Sequence, residues 1–213
     1  MTVGTLREPE RYEIVVPQGW WAVDLDAARR DTQIAALVDR QWLGVDDAPH
    51  LKAQARTELG RQAAEAAAAG GLQLFLSVGT LAGVPLSASL LVSSVPLASP
   101  AELTVLAERR RAEGMEVTRP VLPAGPALRT RWRIETEPDP QAGPQPATTC
   151  LDLHLPVPSV PRVLLLQFRT PLEPLADVLV ELFDAVAATL RWAGADDVPA
   201  AADRPPHTEE ARR

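Results

Sequence analysis

Cysteine occurs once in the 213 residues, at Cys150. No intramolecular disulfide can form, which fits a reducing compartment. Lysine also occurs once, at Lys52, so almost every positive charge is an arginine and Schiff-base chemistry has a single candidate. The three histidines, His50, His154 and His207, fall at a helix start, in a strand and in the tail. None has a second His, Cys or carboxylate at a recognised ligand spacing, so no metal is expected. There is no Gly-x-Ser-x-Gly elbow. Gly70-Gly71 and Gly79-x-x-x-Gly83 lack the lysine and helix of a phosphate cradle, and no cofactor is expected. No apolar run approaches the ~18–20 residues of a membrane span. The first eleven residues are polar and lack the apolar core of a signal peptide, so the expectation is a cytoplasmic chain with no membrane insertion. The net charge of −7 and pI of about 5.0 argue against a nucleic-acid partner.

What is present suffices for a core. Apolar residues make up 46% of the chain, enough for one well-packed domain. Tyr12 to Val16 reads as a strand ended by Pro17, and Pro17-Gln18-Gly19 as a turn before the pair Trp20-Trp21. Asp26 is a plausible N-cap for a helix carrying Ile34, Leu37, Val38 and Trp42 and ended by Gly44. Asp46 or Asp47 caps a second helix with Pro49 in its first turn. Leu51, Ala55, Leu59, Ala63 and Ala66 form its buried stripe, and Gly70-Gly71 stops it. Leu72 to Thr80 and Val84 to Val95 alternate as a hairpin. Ser99-Pro100 opens a short helix that Gly114 ends. Val117 to Leu122, Leu128 to Glu135, Cys150 to Leu155 and Val163 to Phe168 are strands, and a last helix runs from about Pro174 to Trp192.

These elements predict one α/β domain over residues 12–194. A flexible N-terminus (1–11) precedes it, a disordered tail (195–213) follows it, and a mobile proline-rich loop (138–149) interrupts it. Short connections between strands imply a largely antiparallel sheet. Val163-Leu164-Leu165-Leu166 does not alternate, so both its faces should be buried and it should lie centrally. The predicted architecture is an α/β/α sandwich on a largely antiparallel sheet of about six or seven strands.

Two groups of residues are candidates for function. Arg129, Arg131 and Arg133 share one face of their strand, and Asp152 and His154 share one face of theirs. If the two strands pair with Arg133 opposite Asp152 and Trp132 opposite Leu153, these five line a common face that could bind an anion or small ligand. Asp152 and His154 could also be half of a metal site. The alternatives are a solvated face and arginines paired with nearby carboxylates. Cys150 is followed closely by His154, but neighbours four apart on one strand rarely meet at hydrogen-bond range, and a buried cysteine behaves as a small apolar group. Trp20 and Trp21 cannot both point inward from an extended segment. One is either covered by a helix or exposed as an anchor for a partner.

Tyr-Glu-Ile-Val-Val-Pro-Gln-Gly-Trp, from Tyr12 to Trp20, resembles the opening strand and Pro-x-Gly-Trp turn of Mog1/PsbP-like domains. The antiparallel sheet between helices, and a long closing helix through Phe183-Asp184-Ala185 to Trp192, are also similar to that group. The composition resembles that of actinobacterial proteins, some of which carry such domains as accessory proteins. The resemblance implies a mostly non-enzymatic role, binding GTPases, photosystem subunits or secretion-related partners, with no catalytic residue to carry over. The expected function is a protein-binding accessory or chaperone-like module, with an unidentified partner or a second copy as its target. The alternative is an enzyme or small anionic-ligand binder on the Arg129, Arg131, Arg133, Asp152 and His154 face.

Overall fold

The strand with no polar alternation sits where two-sided burial requires it. In the computed structural model, which describes residues 11–41, 49–77, 80–81, 84–135 and 147–193, Arg162–Thr170 is the fourth of seven strands in the main sheet. In chain order the strands are β1 (Arg11–Glu13), β2 (Trp20–Asp24), β3 (Gly71–Ser77), β4 (Thr80–Leu81), β5 (Val84–Pro85), β6 (Ser89–Pro96), β7 (Glu116–Thr118), β8 (Val121–Leu122), β9 (Gly125–Pro126), β10 (Leu128–Ile134), β11 (Thr148–Pro156), β12 (Arg162–Thr170) and β13 (Arg191–Ala193). The helices are α1 (Ala27–Gln41), α2 (Pro49–Ala68), α3 (Ala101–Ala112) and α4 (Ala176–Ala188). The main sheet has the order β2-β3-β6-β12-β11-β10-β7, with every neighbouring pair antiparallel. β1 and β13 form a separate pair, and β4-β5 and β8-β9 are short ribbons.

Helices cover both faces, as the sandwich requires. Directly opposed residues in adjacent strands share a face. The row Phe75–Leu90–Phe168–Leu151–Arg131–Glu116 crosses one face. There Leu179, Val180, Phe183, Val186 and Ala187 of α4 complete the main core. The row Trp21–Leu76–Ser89–Arg169–Cys150–Trp132 crosses the other face. At one end of that face α1 and α2 bury Val23, Leu25, Ile34, Leu37, Val38 and Ala63 in a second cluster. At the other end lies α3, whose Arg110 sits over the Trp132 ring at 5.7 Å.

Local signals account for the boundaries. Asp26 caps α1: its Oδ1 accepts the Ala28 N–H at 2.8 Å and its carbonyl accepts those of Arg29 and Arg30. Gly19, at φ 87°, closes the turn in which the Trp20 N–H donates to the Pro17 carbonyl. Gly71 is required for space: a Cβ there would meet the Ala66 carbonyl oxygen at 2.6 Å and Leu25 Cδ1 at 2.7 Å. Ser99 contributes its carbonyl to the Glu102 N–H, while α3 has no side-chain cap.

Several expected boundaries change. The first strand shortens to Arg11–Glu13 and leaves the main sheet to pair with β13. The strand expected over Val117 to Leu122 splits into β7 and β8 around Arg119-Pro120, where proline supplies no N–H. The closing helix ends at Ala188 rather than Trp192. Thr189 explains the stop. Its hydroxyl donates to the Val186 carbonyl and accepts the Val15 N–H, offering the chain a non-helical alternative. Trp192 instead lies in β13 and donates its indole N–H to the Ala124 carbonyl at 2.7 Å. Trp42, Gly44, Asp46 and Asp47, the terminal segments 1–10 and 194–213, and residues 136–146 of the proline-rich loop lie outside the described residues.

Phe183 joins α4 to the sheet. Its ring stacks on Phe168 at 4.8 Å and receives the edge of Trp20 at 6.4 Å. It is fully buried. Phe183→Ala removes both ring contacts and opens a cavity, and is expected to cost about 3–5 kcal/mol in denaturant unfolding. A loss under about 1 kcal/mol would mean that the α4 interface is not the main core.

Candidate functional site

The expected arginine face forms differently. β10 and β11 do pair across the proline-rich loop, but Arg131 stands opposite Leu151, Trp132 opposite Cys150 and Thr130 opposite Asp152. This register is displaced by an odd number of residues from the expected one, and an odd displacement exchanges faces. Arg129, Arg131 and Arg133 therefore share a face with the leucines of β11 and with α4. Asp152 and His154 lie on the opposite face. The reason is that β11 is buried along nearly its whole length on both sides, so its leucine/polar alternation does not mark inside and outside.

The three arginines are paired with carboxylates. Arg129 grips Asp184 through Nε and Nη2, at 2.9 and 3.0 Å, and reaches Glu116 through Nη1 at 2.8 Å. Arg131 pairs with Asp177 and Arg133 with Glu173. Asp177 and Asp184 are two turns apart on α4, so these pairs run along one flank of the helix. Burial works against the Arg129 charge, but its two carboxylate partners outweigh that and raise its pKa.

The opposite face carries the site. Asp152 is almost completely buried, its side chain 7% exposed, and accepts from Nη1 of Arg169 at 2.7 Å. The same Nη1 donates to the Phe168 carbonyl at 2.7 Å, and the Arg169 guanidinium lies 5.0 Å from the centre of the Trp132 ring. Trp132 thus has one guanidinium from β12 and another, Arg110, from α3 against its ring. Removing either partner of a buried ion pair leaves an uncompensated charge and costs about 3–5 kcal/mol. Arg169 is therefore firmly held.

Beside Arg169 the sheet face is open. A hollow of about 230 Å3 lies between α2 and the strands, walled by Leu59, Ala66, Leu74, Leu76 and Leu91, with Ser89, Gln167 and Arg169 as its polar members. A second hollow of about 550 Å3 adjoins it, with Leu59, Leu76, Ser89 and Arg169 common to both. Ser77, Ser87 and Thr148 line its further part. Together they form one groove, apolar at one end and hydroxyl-rich at the other, with a guanidinium at the junction.

The remaining candidates take other places. Trp20 is half-buried against Phe183 on the α4 face, and its indole nitrogen is buried without a partner among the described residues. Trp21 is half-buried on the groove face, opposite Leu76 and with Arg40 over its ring at 5.6 Å. The exposed large apolar side chains include neither tryptophan. Cys150 and His154 lie about 13 Å apart along β11 at ~3.3 Å per residue, and burial raises the Cys150 thiol pKa. Among the described residues no three His, Cys, Asp or Glu side chains converge as metal ligands. Arg169, Gln167 and Ser89 were not singled out from the sequence. The available signal was the polar pair Gln167 and Arg169, two apart after the apolar run Val163 to Leu166.

No family model matches the chain, and no curated protein matches it. Among solved structures it is similar to cyanobacterial PsbP from Synechocystis sp. PCC 6803, in solution, with a TM-score of 0.40 and 13% identity over 85% of this chain and 86% of that one. Among the described residues no helix is long and apolar enough to cross a membrane.

His154 gives the face a pH dependence. Burial pushes its pKa below the ordinary 6.5; the Arg110 charge adds to this, while Asp152 and the Leu128 backbone oppose it. The unfolded chain therefore takes up the proton first. The stabilising contribution is complete above pH 6.5 and is lost as pH falls from there through the folded pKa. The thermal midpoint is expected to drop on acidification from about pH 7 to 5.5, with a shallower drop in His154→Gln. Equal slopes would show that His154 does not titrate differently in the two states.

Proposed function

We propose that the protein is a non-catalytic accessory module that binds a protein partner through the groove between α2 and the central strands. One observation carries this reading: the groove is an open stretch of sheet face, apolar at one end and polar at the other, beside a fixed guanidinium. The titratable groups around it support holding rather than transforming. Asp152 is tied to Arg169, burial keeps the Cys150 thiol protonated, and His154 is held toward its neutral form with no nucleophile beside it. Trp21, opposite the groove residue Leu76, remains a candidate for the outer rim of the contact. Trp20, on the other face, fits better as support for α4.

The small-anion alternative loses its original anchor, because Arg129, Arg131 and Arg133 already hold carboxylates. Self-association through the same groove would use the same side chains, and sedimentation across a concentration series separates it from a heterologous partner.

Ser89→Phe tests the location. Ser89 is half-buried on the groove floor, and a phenyl ring there fills the space without removing a core side chain. Immobilised protein is expected to retain one stoichiometric partner from host extract and to lose it in Ser89→Phe, with Trp21→Ala giving a partial loss and the thermal midpoints comparable. Undiminished retention by Ser89→Phe would move the contact off the groove.

A further inference from the structure

We infer that the groove takes the free C-terminus of a partner chain ending in an aliphatic residue, with Arg169 as the carboxylate anchor. This rests on the groove being the binding face and adds the chemistry of what enters it.

The donor inventory of Arg169 points there. A guanidinium has five N–H donors on three nitrogens. Arg169 uses Nη1 for Asp152 and for the Phe168 carbonyl. Among the described residues none accepts from its Nε or Nη2. Those two nitrogens form the parallel edge of the fork, the edge by which Arg129 grips both oxygens of Asp184. Arg129 also holds Glu116 at the same time, so one guanidinium in this protein carries two carboxylates. Arg169 has one carboxylate, is fixed by the Trp132 ring, and borders both hollows. It is a pre-positioned site for a second carboxylate.

The surroundings select the kind of carboxylate. The smaller hollow, walled by leucines and Ala66, suits an aliphatic side chain and would strand a polar one. The larger hollow offers the hydroxyls of Ser87, Ser89 and Thr148, which can both donate to peptide carbonyls and accept from peptide N–H groups. Arg169 lies where the two meet. A C-terminal aliphatic residue matches that order. Its carboxylate and its side chain leave the same carbon, and the preceding peptide continues on one side only. An internal Asp or Glu would place chain on both sides of the anchor. A free small acid would leave the hydroxyl-lined hollow unused.

Fluorescence anisotropy with labelled hexapeptides ending in leucine, as free acid and as C-terminal amide, tests this on the full chain. The acid is expected to bind about 10- to 100-fold more tightly than the amide. Arg169→Lys keeps a cation beside Asp152 but not the fork, and is expected to lose most of that ratio. Asp152→Asn combined with Arg169→Gln should lose it too, without leaving a buried charge unpaired. Equal binding of acid and amide, binding of neither, or a ratio that survives in both variants overturns the inference. So does displacement of the peptide by octanoate at comparable concentration, which would make the occupant a free acid. Ser89→Phe separates the two levels. If acid and amide bind the wild type equally and Ser89→Phe abolishes both, the groove stands and only the carboxylate anchor fails. If peptides bind Ser89→Phe as they bind the wild type, the groove itself is not the binding face.

Discussion

The two-sided burial of β11 is the constraint on which the rest of the structure depends. A strand in the middle of a covered sheet has no solvent face, so both rows of its side chains must be satisfied by other parts of the chain. On one side the leucines of β11, with Leu166 and Phe168 of β12, meet the apolar stripe of α4. The opposite row contains Asp152, His154, Gln167 and Arg169. A carboxylate as buried as Asp152 persists because a guanidinium two strand positions along the next strand meets it. That pairing draws Arg169 inward, and the Trp132 ring fixes it. The helices of this face then pack on either side: α1 and α2 over the β2-β3 end, α3 over the β10-β7 end. The groove is the interval they leave.

Much of this frame is legible in the sequence, and the reasons are local. The non-alternating run at Val163 to Leu166 identifies the central strand because only two-sided burial tolerates it. Asp26, Pro49 and the glycine pair at Gly70-Gly71 mark helix ends through backbone chemistry that needs no tertiary context. What depends on context is harder to read. The closing helix reads through to Trp192 by apolar periodicity, but Thr189 and the pairing of β13 with β1 end it sooner.

The misread register has a specific cause. Choosing a register from alternation assumes that one row of each strand faces water. In β11 neither row does, and in β10 Arg129 and Arg131 pair with Asp184 and Asp177 of α4, while Arg133 is exposed. Period-two patterning fixes which residues share a face within a strand, and it did so for both strands. It cannot say which face of one strand joins which face of the next when both are covered. The candidate site was divided by this alone. Asp152 and His154 are where a polar face exists, but their arginine is Arg169, from the strand on the other side.

Comparison of the two arginines shows why one is structural and the other available. Arg129 and Arg169 occupy sheet positions of similar kind, each on a strand beside β11. Arg129 is near an edge, within reach of α4 and β7, and finds carboxylates on both; its charge is spent on joining a helix to a sheet. Arg169 stands at the centre of the opposite face, where the nearest helices are α2 and α3 and the adjacent wall is leucine and serine. It meets one carboxylate and lines both hollows. The difference lies in which helix flank each strand position reaches, not in residue type. Three arginines in alternation stand out in the sequence, yet Arg169, one of two arginines in β12, is the one whose Nε and Nη2 meet no acceptor among the described residues.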